Sequence, residues 1–211
     1  MVLAPDSICF EDRRSNRSGI EPDGEKDWLQ HYNEMCYRLL RGDMLMTKVL
    51  DDALIAGTVL RSIPEVDGER LGLLGHSYGG QTVIFQGAID DRFSYTCTSG
   101  AVCSFTTKMA NGTGIEMAAV MPGFLAKFEV IDLLKCFFPK QLLVVSATED
   151  KYSKDADAIG ATISSLYGEF PDRFTHQRYQ GGHALIQERY DFILSWMSRA
   201  GHRGEGHEIR A

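Results

Sequence analysis

The feature of this sequence that most restricts its fold is the nine-residue run Gly72–Gly80, which reads GLLGHSYGG. Its first part is apolar, as in a buried strand, and the residues from Thr82 to Ile89 continue it with the composition of a helix. Between the two lies the pattern Gly75-x-Ser77-x-Gly79. We expect a side chain at Gly75 or Gly79 to collide with the neighbouring backbone at so sharp a bend. The pattern predicts a strand–turn–helix that lifts the Ser77 hydroxyl clear of a sheet.

A serine on such a turn is typical of a catalytic nucleophile. The backbone N–H of Tyr78 lies at the start of the following helix, and we expect it to point at an oxyanion formed on a substrate carbonyl. A lone G-x-S-x-G pattern arises often by chance, and a purely structural turn is the alternative. The strand before the motif and the helix after it favour the catalytic interpretation.

The partners of a nucleophile of this kind follow it in the chain order acid, then histidine. The apolar run over 140–147, KQLLVVSA, predicts a buried parallel strand. The residues 148–150, TED, follow at its carboxyl end, where open α/β sheets place their ligands. A last strand is predicted over Phe174 to Tyr179, and it leads through two glycines to His183.

These positions predict a catalytic triad. Ser77 is the nucleophile, His183 is the general base and then the general acid, and Asp150 holds the imidazole in the required tautomer. Glu149 is the nearest alternative to Asp150 and Asp155 is the next. Asp150 lies deeper in the loop than Glu149, whereas Asp155 is placed as a helix N-cap. The alternative for His183 is a loop histidine without a catalytic role.

The other histidines carry no predicted function. His76 is next to Ser77 in sequence, but the turn should direct adjacent side chains apart, so we expect His76 to pack or to form hydrogen bonds. His31 and His176 lie in a predicted helix and a predicted strand. His202 and His207 lie in a polar C-terminal segment.

Several segments resemble one branch of a known superfamily. They are SIPEVDGER over 62–70 leading into GHSYGG, LAPD over 3–6 with EDRR over 11–14, and FPKQLLVVS over 138–146 followed by Glu149-Asp150. Together they are similar to the dienelactone-hydrolase-like and acetyl-xylan-esterase-like α/β-hydrolases, from about residue 2 to about residue 198. The resemblance implies the α/β-hydrolase fold and ester hydrolysis by Ser77, Asp150 and His183. Dienelactone hydrolases proper use a cysteine nucleophile, so Ser77 favours a serine esterase.

The resemblance also implies that the fold is reduced at its N-terminal end. The chain would begin at the branch's fourth strand, without the first three strands and without the loop that supplies a second oxyanion donor. The predicted strand Leu71–Leu74 would then lack a neighbour, and an open strand edge invites association. We expect a short strand at Val2–Pro5 to take that place, or a second subunit of a homodimer to cover it. A fragment of a longer chain is the third explanation.

Charge and composition exclude several classes of protein. The formal net charge of −7 argues against a nucleic-acid-binding protein. No apolar run approaches the roughly 18–20 residues of a membrane span, and no signal segment is visible. The five cysteines lack the spacing of a disulfide framework or a zinc site. We expect a cytoplasmic enzyme with no metal and no cofactor that acts on a small-molecule ester.

The order of the predicted elements gives the fold class. Alternating strands and helices predict an α/β protein with a mostly parallel sheet flanked by helices. We expect one hydrolase domain over 1–199, with a loop at Glu11–Lys26, and a flexible polar tail over 200–211. Residues 104–138 are too many for a simple connection and are rich in Met and Phe. They either pack in the core or form a small cap or pocket wall, which would suit short-chain esters.

The sequence therefore predicts a serine hydrolase that cleaves small or short-chain carboxylic esters, of the acetyl-esterase type. A peptidase, a lactonase or an amidase on the same scaffold is the first alternative, because the triad does not distinguish these substrates. An inactive hydrolase-like binding protein is the second alternative, because an oxyanion donor is missing from the pattern.

Overall fold

The computed structural model describes residues 1–14 and 24–202. These residues cluster into two compact units. The first unit comprises Met1–Val66 and Ile115–Phe124, and the second comprises Asp67–Gly114 and the chain from Leu125 onward. All of the predicted site residues belong to the second unit.

The first unit contains two long helices, α1 (Gly24–Leu40) and α2 (Leu45–Arg61), which pack against each other. Gly42, with a φ of +76°, allows the tight turn between them. The segment before α1 is fixed by an ion pair in which Arg14 donates two hydrogen bonds to Asp27, at 2.5 and 2.6 Å. Both side chains are buried, and the two hydrogen bonds offset part of the cost of desolvating the two charges.

The second unit is an alternation of strands and helices. In chain order it contains β1 (Leu71–His76), α3 (Tyr78–Ile89), β2 (Phe93–Ser99), α4 (Phe105–Ala110), α5 (Val130–Lys135), β3 (Gln141–Ala147), α6 (Ala156–Leu166), β4 (Phe174–Tyr179) and α7 (Gln187–His202). Within the described residues the four strands form one sheet in the order β1-β2-β3-β4, and each neighbouring pair is parallel. The inner strand β3 is buried from Leu142 to Ala147, as its continuous apolar run predicts.

Helices cover both faces of this sheet. Cys97 on β2 and Leu143 on β3 pack with Trp196 of α7 in one buried cluster. Thr98, the next residue of β2, donates a hydrogen bond to the carbonyl of Gly80 in α3, at 3.0 Å. Because successive strand residues point to opposite faces, α3 and α7 lie on opposite sides of the sheet. The prediction of a mostly parallel sheet flanked by helices is confirmed.

The prediction of a strand at Val2–Pro5 is wrong. This segment forms no strand, and Val2 exposes 90% of its surface. A strand is stabilised by a hydrogen-bonded neighbour, and a four-residue segment that ends in Pro5 offers few N–H donors for one. Within residues 1–14 and 24–202, β1 pairs only with β2 and is an edge strand. Its coverage by a second subunit stays a prediction.

Three other segments depart from the expected boundaries. The expected loop at Glu11–Lys26 contains a single 3-10 turn at Glu11–Arg13, and α1 already begins at Gly24, while residues 15–23 lie outside the described residues. Residues 200–202 belong to α7, and the remainder of the expected tail lies outside the described residues. Residues 115–124, within the segment 104–138, belong to the first unit. Whether 104–138 acts as a cap stays a prediction.

No helix among the described residues is both long enough and apolar enough to cross a membrane.

Candidate active site

Ser77 lies on a strained turn between β1 and α3. Its φ of +56° and ψ of −118° are unfavourable for a residue with a side chain. Such strain persists only where surrounding structure holds it, and here the Ser77 N–H donates to the carbonyl of Ser99 at the end of β2, at 2.8 Å. The Ser77 carbonyl in turn accepts from the N–H of Gln81, at 3.0 Å, which begins the helix. The predicted strand–turn–helix is present.

The glycines that permit this turn differ in part from those predicted. A Cβ on Gly75 would lie 2.1 Å from the carbonyl oxygen of Gly79, so a side chain at Gly75 is excluded, as expected. A Cβ on Gly79 would meet nothing within 4 Å, so the expectation for Gly79 is wrong. The second crowded position is Gly80, whose Cβ would lie 2.7 Å from the carbonyl oxygen of Ser99. The absence of a side chain at Gly80 therefore lets the first turn of α3 lie against the end of β2.

The structure brings together the three side chains predicted to form a triad. The Nε2 atom of His183 lies 2.7 Å from the Oγ of Ser77, and its Nδ1 lies 3.0 Å from an Oδ1 of Asp150. Each residue follows the carboxyl end of a different strand: Ser77 follows β1, Asp150 follows β3 and His183 follows β4. Parallel strands end at the same edge of a sheet, which is why residues so far apart in sequence meet there.

Asp150, and not Glu149, is the carboxylate placed against the histidine. The Asp150 side chain exposes 1% of its surface, and it also accepts hydrogen bonds from the Tyr152 N–H at 2.9 Å and from the Ser153 hydroxyl at 3.0 Å. These donors satisfy the oxygens of the buried side chain and fix its orientation. Glu149 is exposed, and its N–H donates to the carbonyl of Gly181, at 2.9 Å.

Asp155, the third candidate acid, has another role. It occupies the N-cap position of α6, but its side chain caps no helix N–H. Instead its carboxylate accepts hydrogen bonds from the hydroxyls of Ser104 and Thr107, at 2.5 and 2.7 Å. The predicted N-cap position is therefore confirmed, but the side chain does not cap the helix, because hydroxyl donors on the segment after β2 take up its oxygens.

The loops that carry the acid and the histidine are joined by their backbones. The N–H of Thr148 donates to the carbonyl of Tyr179, at 3.0 Å, which extends the β3–β4 pairing beyond the strands. The Gly181 N–H donates to the Thr148 hydroxyl, at 3.1 Å. Together with the bond from Glu149 to Gly181, these contacts fix the distance between the two loops. The imidazole of His183 and the carboxylate of Asp150 are thereby held within hydrogen-bonding distance of each other.

Sequence reasoning missed the groups that surround the imidazole of His183. The ring of His76 lies 5.0 Å from it and that of Tyr152 lies 4.9 Å from it, both between centroids. Gly100, with a φ of +61°, closes a third side: a Cβ there would lie 3.0 Å from atoms of both histidine rings. The turn therefore does not carry His76 away from the site. The Nδ1 of His76 forms a hydrogen bond with the Ser99 hydroxyl, at 3.0 Å. This agrees with the prediction that His76 packs or forms hydrogen bonds.

No group of three or more His, Cys, Asp or Glu side chains in the described part of the chain is arranged to hold a metal ion.

The Cys103 thiol lies on the loop after β2, where burial and the neighbouring Asp155 carboxylate raise its pKa to about 11. A thiol in that environment is protonated at neutral pH and is a poor nucleophile. Among the predicted site residues, the hydroxyl of Ser77 is the group hydrogen-bonded to a base.

Stability should fall as the pH drops below about 6.5, because one histidine is buried and two are half-buried in the folded state. Burial lowers the pKa of His31, His76 and His176 below the ordinary value of 6.5, and for His76 the charge of His183 lowers it further. The unfolded chain therefore binds protons there that the folded chain does not. Carboxylates whose pKa is lowered by folding, such as that of Asp90, also contribute to stability. That contribution begins to be lost only when the pH falls to about 3.8 and below.

The check is the free energy of unfolding in urea at several pH values between about 7.5 and about 5. We expect a steady loss on acidification, and a smaller loss for His176→Gln, whose amide does not titrate. His202→Gln is the control, because His202 is exposed at the end of α7. A flat profile over this range would contradict the prediction.

Comparison with proteins of known structure identifies the fold. No protein-family model matches this sequence, and no curated protein sequence matches it. A glucuronoyl esterase from Solibacter usitatus superposes with a TM-score of 0.63 at 20% identity, over 76% of this chain and 50% of that one. A promiscuous CE15 esterase from a marine bacterial metagenome superposes with a TM-score of 0.59 at 16% identity, over 74% of this chain and 48% of that one. A candidate acetyl xylan esterase from Bacteroides fragilis superposes with a TM-score of 0.63 at 12% identity, over 89% of this chain and 55% of that one.

Two of these structures are named as esterases and the third as a candidate esterase, and the present chain shares their α/β-hydrolase fold. The chain spans about half the length of each of the three structures.

Proposed function

We propose that this protein is a serine hydrolase that cleaves carboxylic esters. The observation that carries the proposal is the continuous hydrogen-bonded chain from the Ser77 hydroxyl through His183 to Asp150, with distances of 2.7 and 3.0 Å. A serine hydroxyl is a weak nucleophile on its own and needs a base at this distance. The strained backbone at Ser77 supports the same role, because strain of this kind concentrates at active sites.

The geometry supports an acyl-serine mechanism. As the Ser77 oxygen attacks the ester carbonyl, the Nε2 of His183 accepts the hydroxyl proton, and the buried Asp150 carboxylate stabilises the imidazolium. The tetrahedral intermediate collapses, the bond to the alkoxy oxygen breaks, and His183 gives its proton to the departing alcohol. Water then attacks the acyl-Ser77 ester, with His183 again acting as the base. The acid is released and Ser77 regains its proton.

Tyr78 is proposed to supply one oxyanion donor through its backbone N–H. Tyr78 is the first residue of α3 and directly follows Ser77, so its N–H lies beside the nucleophile. Such a group next to the nucleophile, at the positive end of the helix dipole, is suited to the negative oxygen that forms during attack.

The substrate class follows from the site and from the structural neighbours together. Two of those neighbours are named as a glucuronoyl esterase and a candidate acetyl xylan esterase. The substrate type that we favour is therefore a small ester in which a carbohydrate supplies either the alcohol or the acid. A peptidase, a lactonase or an amidase would use the same triad, and an inactive binding protein would retain its shape without turnover. An assay must therefore distinguish ester cleavage from amide cleavage and from binding alone.

The test is the pre-steady-state hydrolysis of p-nitrophenyl acetate beside p-nitroacetanilide. We expect a burst of about one equivalent of p-nitrophenol with the ester, an acetyl group on Ser77 by mass spectrometry, and far slower anilide cleavage. Faster turnover of the anilide would favour an amidase or a peptidase. Absence of both burst and turnover across acyl esters of different length would favour the binding protein and overturn the proposal.

A further inference from the structure

The loop that carries His183 surrounds a buried cation. Arg189, in the first turns of α7, exposes 4% of its surface. Its NH1 donates to the carbonyl oxygens of Gly182 and Ala184, at 2.8 and 2.9 Å, and its NH2 donates to that of Gln180, at 3.2 Å. Two of these carbonyls belong to the residues immediately before and after His183. The guanidinium thus contacts the backbone on both sides of the histidine.

We propose that Arg189 is a positioning residue that holds the imidazole of His183 between Ser77 and Asp150. The inference rests on the proposed function, because it assigns Arg189 a part in that reaction. Three carbonyl oxygens that converge on one point repel each other, and a planar cation with several N–H donors relieves that repulsion. The loop conformation that aims His183 at Ser77 is in this way stabilised by Arg189.

The hydrogen bonds of Arg189 argue that it does more than stabilise the fold in general. The hydrogen bonds of Arg189 in the described part of the chain go to backbone carbonyls of one short loop, and its guanidinium stacks 5.5 Å from the ring centroid of Tyr179. Burying a charge is unfavourable unless its partners are well placed, so a loop without a positional requirement would be better served by an apolar residue.

Gly181 shows that the loop follows the cation closely. Its φ of +100° is open to glycine and not to residues with a side chain, and a Cβ there would lie 3.7 Å from the NH2 of Arg189. The same residue is bonded through its N–H to Thr148 and through its carbonyl to Glu149 in the acid loop. Arg189 therefore fixes the loop from the α7 side, and the acid loop fixes it from the β3 side.

The test is Arg189→Lys, with Arg189→Gln as the second variant. Lysine keeps the charge but presents its donors from one atom, so it cannot span the three carbonyls as the guanidinium does. We expect kcat for p-nitrophenyl acetate to fall by about 10²-fold, with KM changed less than about threefold, because a small misplacement of a catalytic group has an effect of that size. The rate of Ser77 labelling by a fluorophosphonate should fall in parallel.

A second readout does not depend on ester turnover. The proton shared by His183 Nδ1 and Asp150 should give a downfield NMR resonance in the wild-type protein, which Asp150→Asn identifies by abolishing it. We expect that resonance to shift or broaden in Arg189→Lys. Arg199→Lys is the matched control: Arg199 is exposed on the same helix, where it donates to Ser195, and the change should leave rates and resonance unaltered.

The outcomes separate this inference from the proposed function. If the wild type hydrolyses no ester but the resonance moves in Arg189→Lys, the positioning role stands and the proposed substrate is wrong. If the wild type is active and Arg189→Lys keeps kcat within about twofold with an unmoved resonance, the positioning role is overturned. Failure of both Arg189 variants to fold, judged by circular dichroism, would likewise overturn it, because Arg189 would then serve folding stability.

Discussion

Replacing Ser77 with alanine is expected to lower kcat for p-nitrophenyl acetate by at least about 10⁴-fold. The change removes the oxygen that would carry the acyl group and leaves His183 without the hydroxyl that lies 2.7 Å from its Nε2. The fold should persist, because the turn is held by the backbone bonds from Ser77 to Ser99 and from Gln81 to Ser77, which alanine retains. Labelling by a fluorophosphonate probe should be lost at the same time.

Ser165→Ala is the matched control for this measurement. Ser165 is an exposed residue of α6 whose hydroxyl donates to the carbonyl of Ala161 one turn earlier, at 3.1 Å. Its replacement should leave kcat and labelling as in the wild type. Turnover that survives in Ser77→Ala at more than a small fraction of the wild-type rate would mean that another group is the nucleophile.

The edge of the sheet that carries the candidate site could be predicted because its signals are local. A continuous apolar run marks β3 wherever the rest of the chain lies, and the elbow pattern encodes its own turn through Gly75. The chain order of nucleophile, acid and base then limits the partners to a few positions. Depth in the loop favoured Asp150 over Glu149, and the structure places the carboxylate of Asp150 against His183.

The parts that could not be predicted depend on contacts between distant segments. The crowding at Gly80 arises from Ser99 on the neighbouring strand, whereas Gly79, which looks equally necessary in the motif, faces open space. Asp155 has the sequence position of an N-cap, but hydroxyl groups some 50 residues away take its oxygens. Nothing in the sequence around Arg189 reveals that its charge is buried against the histidine loop.

The prediction of a strand at Val2–Pro5 was wrong for a different reason. The expectation came from a resemblance to proteins with more strands, and it placed the segment beside Leu71–Leu74 although its own four residues give only a weak strand signal. Strand formation depends on such a partner, so a short apolar segment next to a proline carries little information by itself. Among the described residues, Val2 is exposed and β1 lies at an edge of the sheet.

Replacing Asp150 with asparagine is expected to lower kcat by about 10⁴-fold while the protein remains folded. The Nδ1 of His183 lies 3.0 Å from the Asp150 carboxylate, and because a carboxylate can only accept, the proton belongs on Nδ1 and Nε2 is left to accept the proton of Ser77. An asparagine amide can donate to Nδ1 instead, so the proton moves to Nε2 and the imidazole can no longer act as a base toward Ser77. The amide also cannot stabilise the imidazolium that forms during attack.

Glu149→Gln provides the comparison that isolates this effect. It makes the same chemical change, from a carboxylate to an amide, one residue earlier in the same loop, at an exposed side chain. If the role of Asp150 depends on its contact with His183, kcat should stay within about twofold of the wild type in Glu149→Gln and collapse in Asp150→Asn, with similar urea unfolding for both. The reverse order of the two variants would transfer the role to Glu149. Equal and small losses would mean that the imidazole is oriented by its other neighbours, with the Arg189-bound loop as the leading candidate.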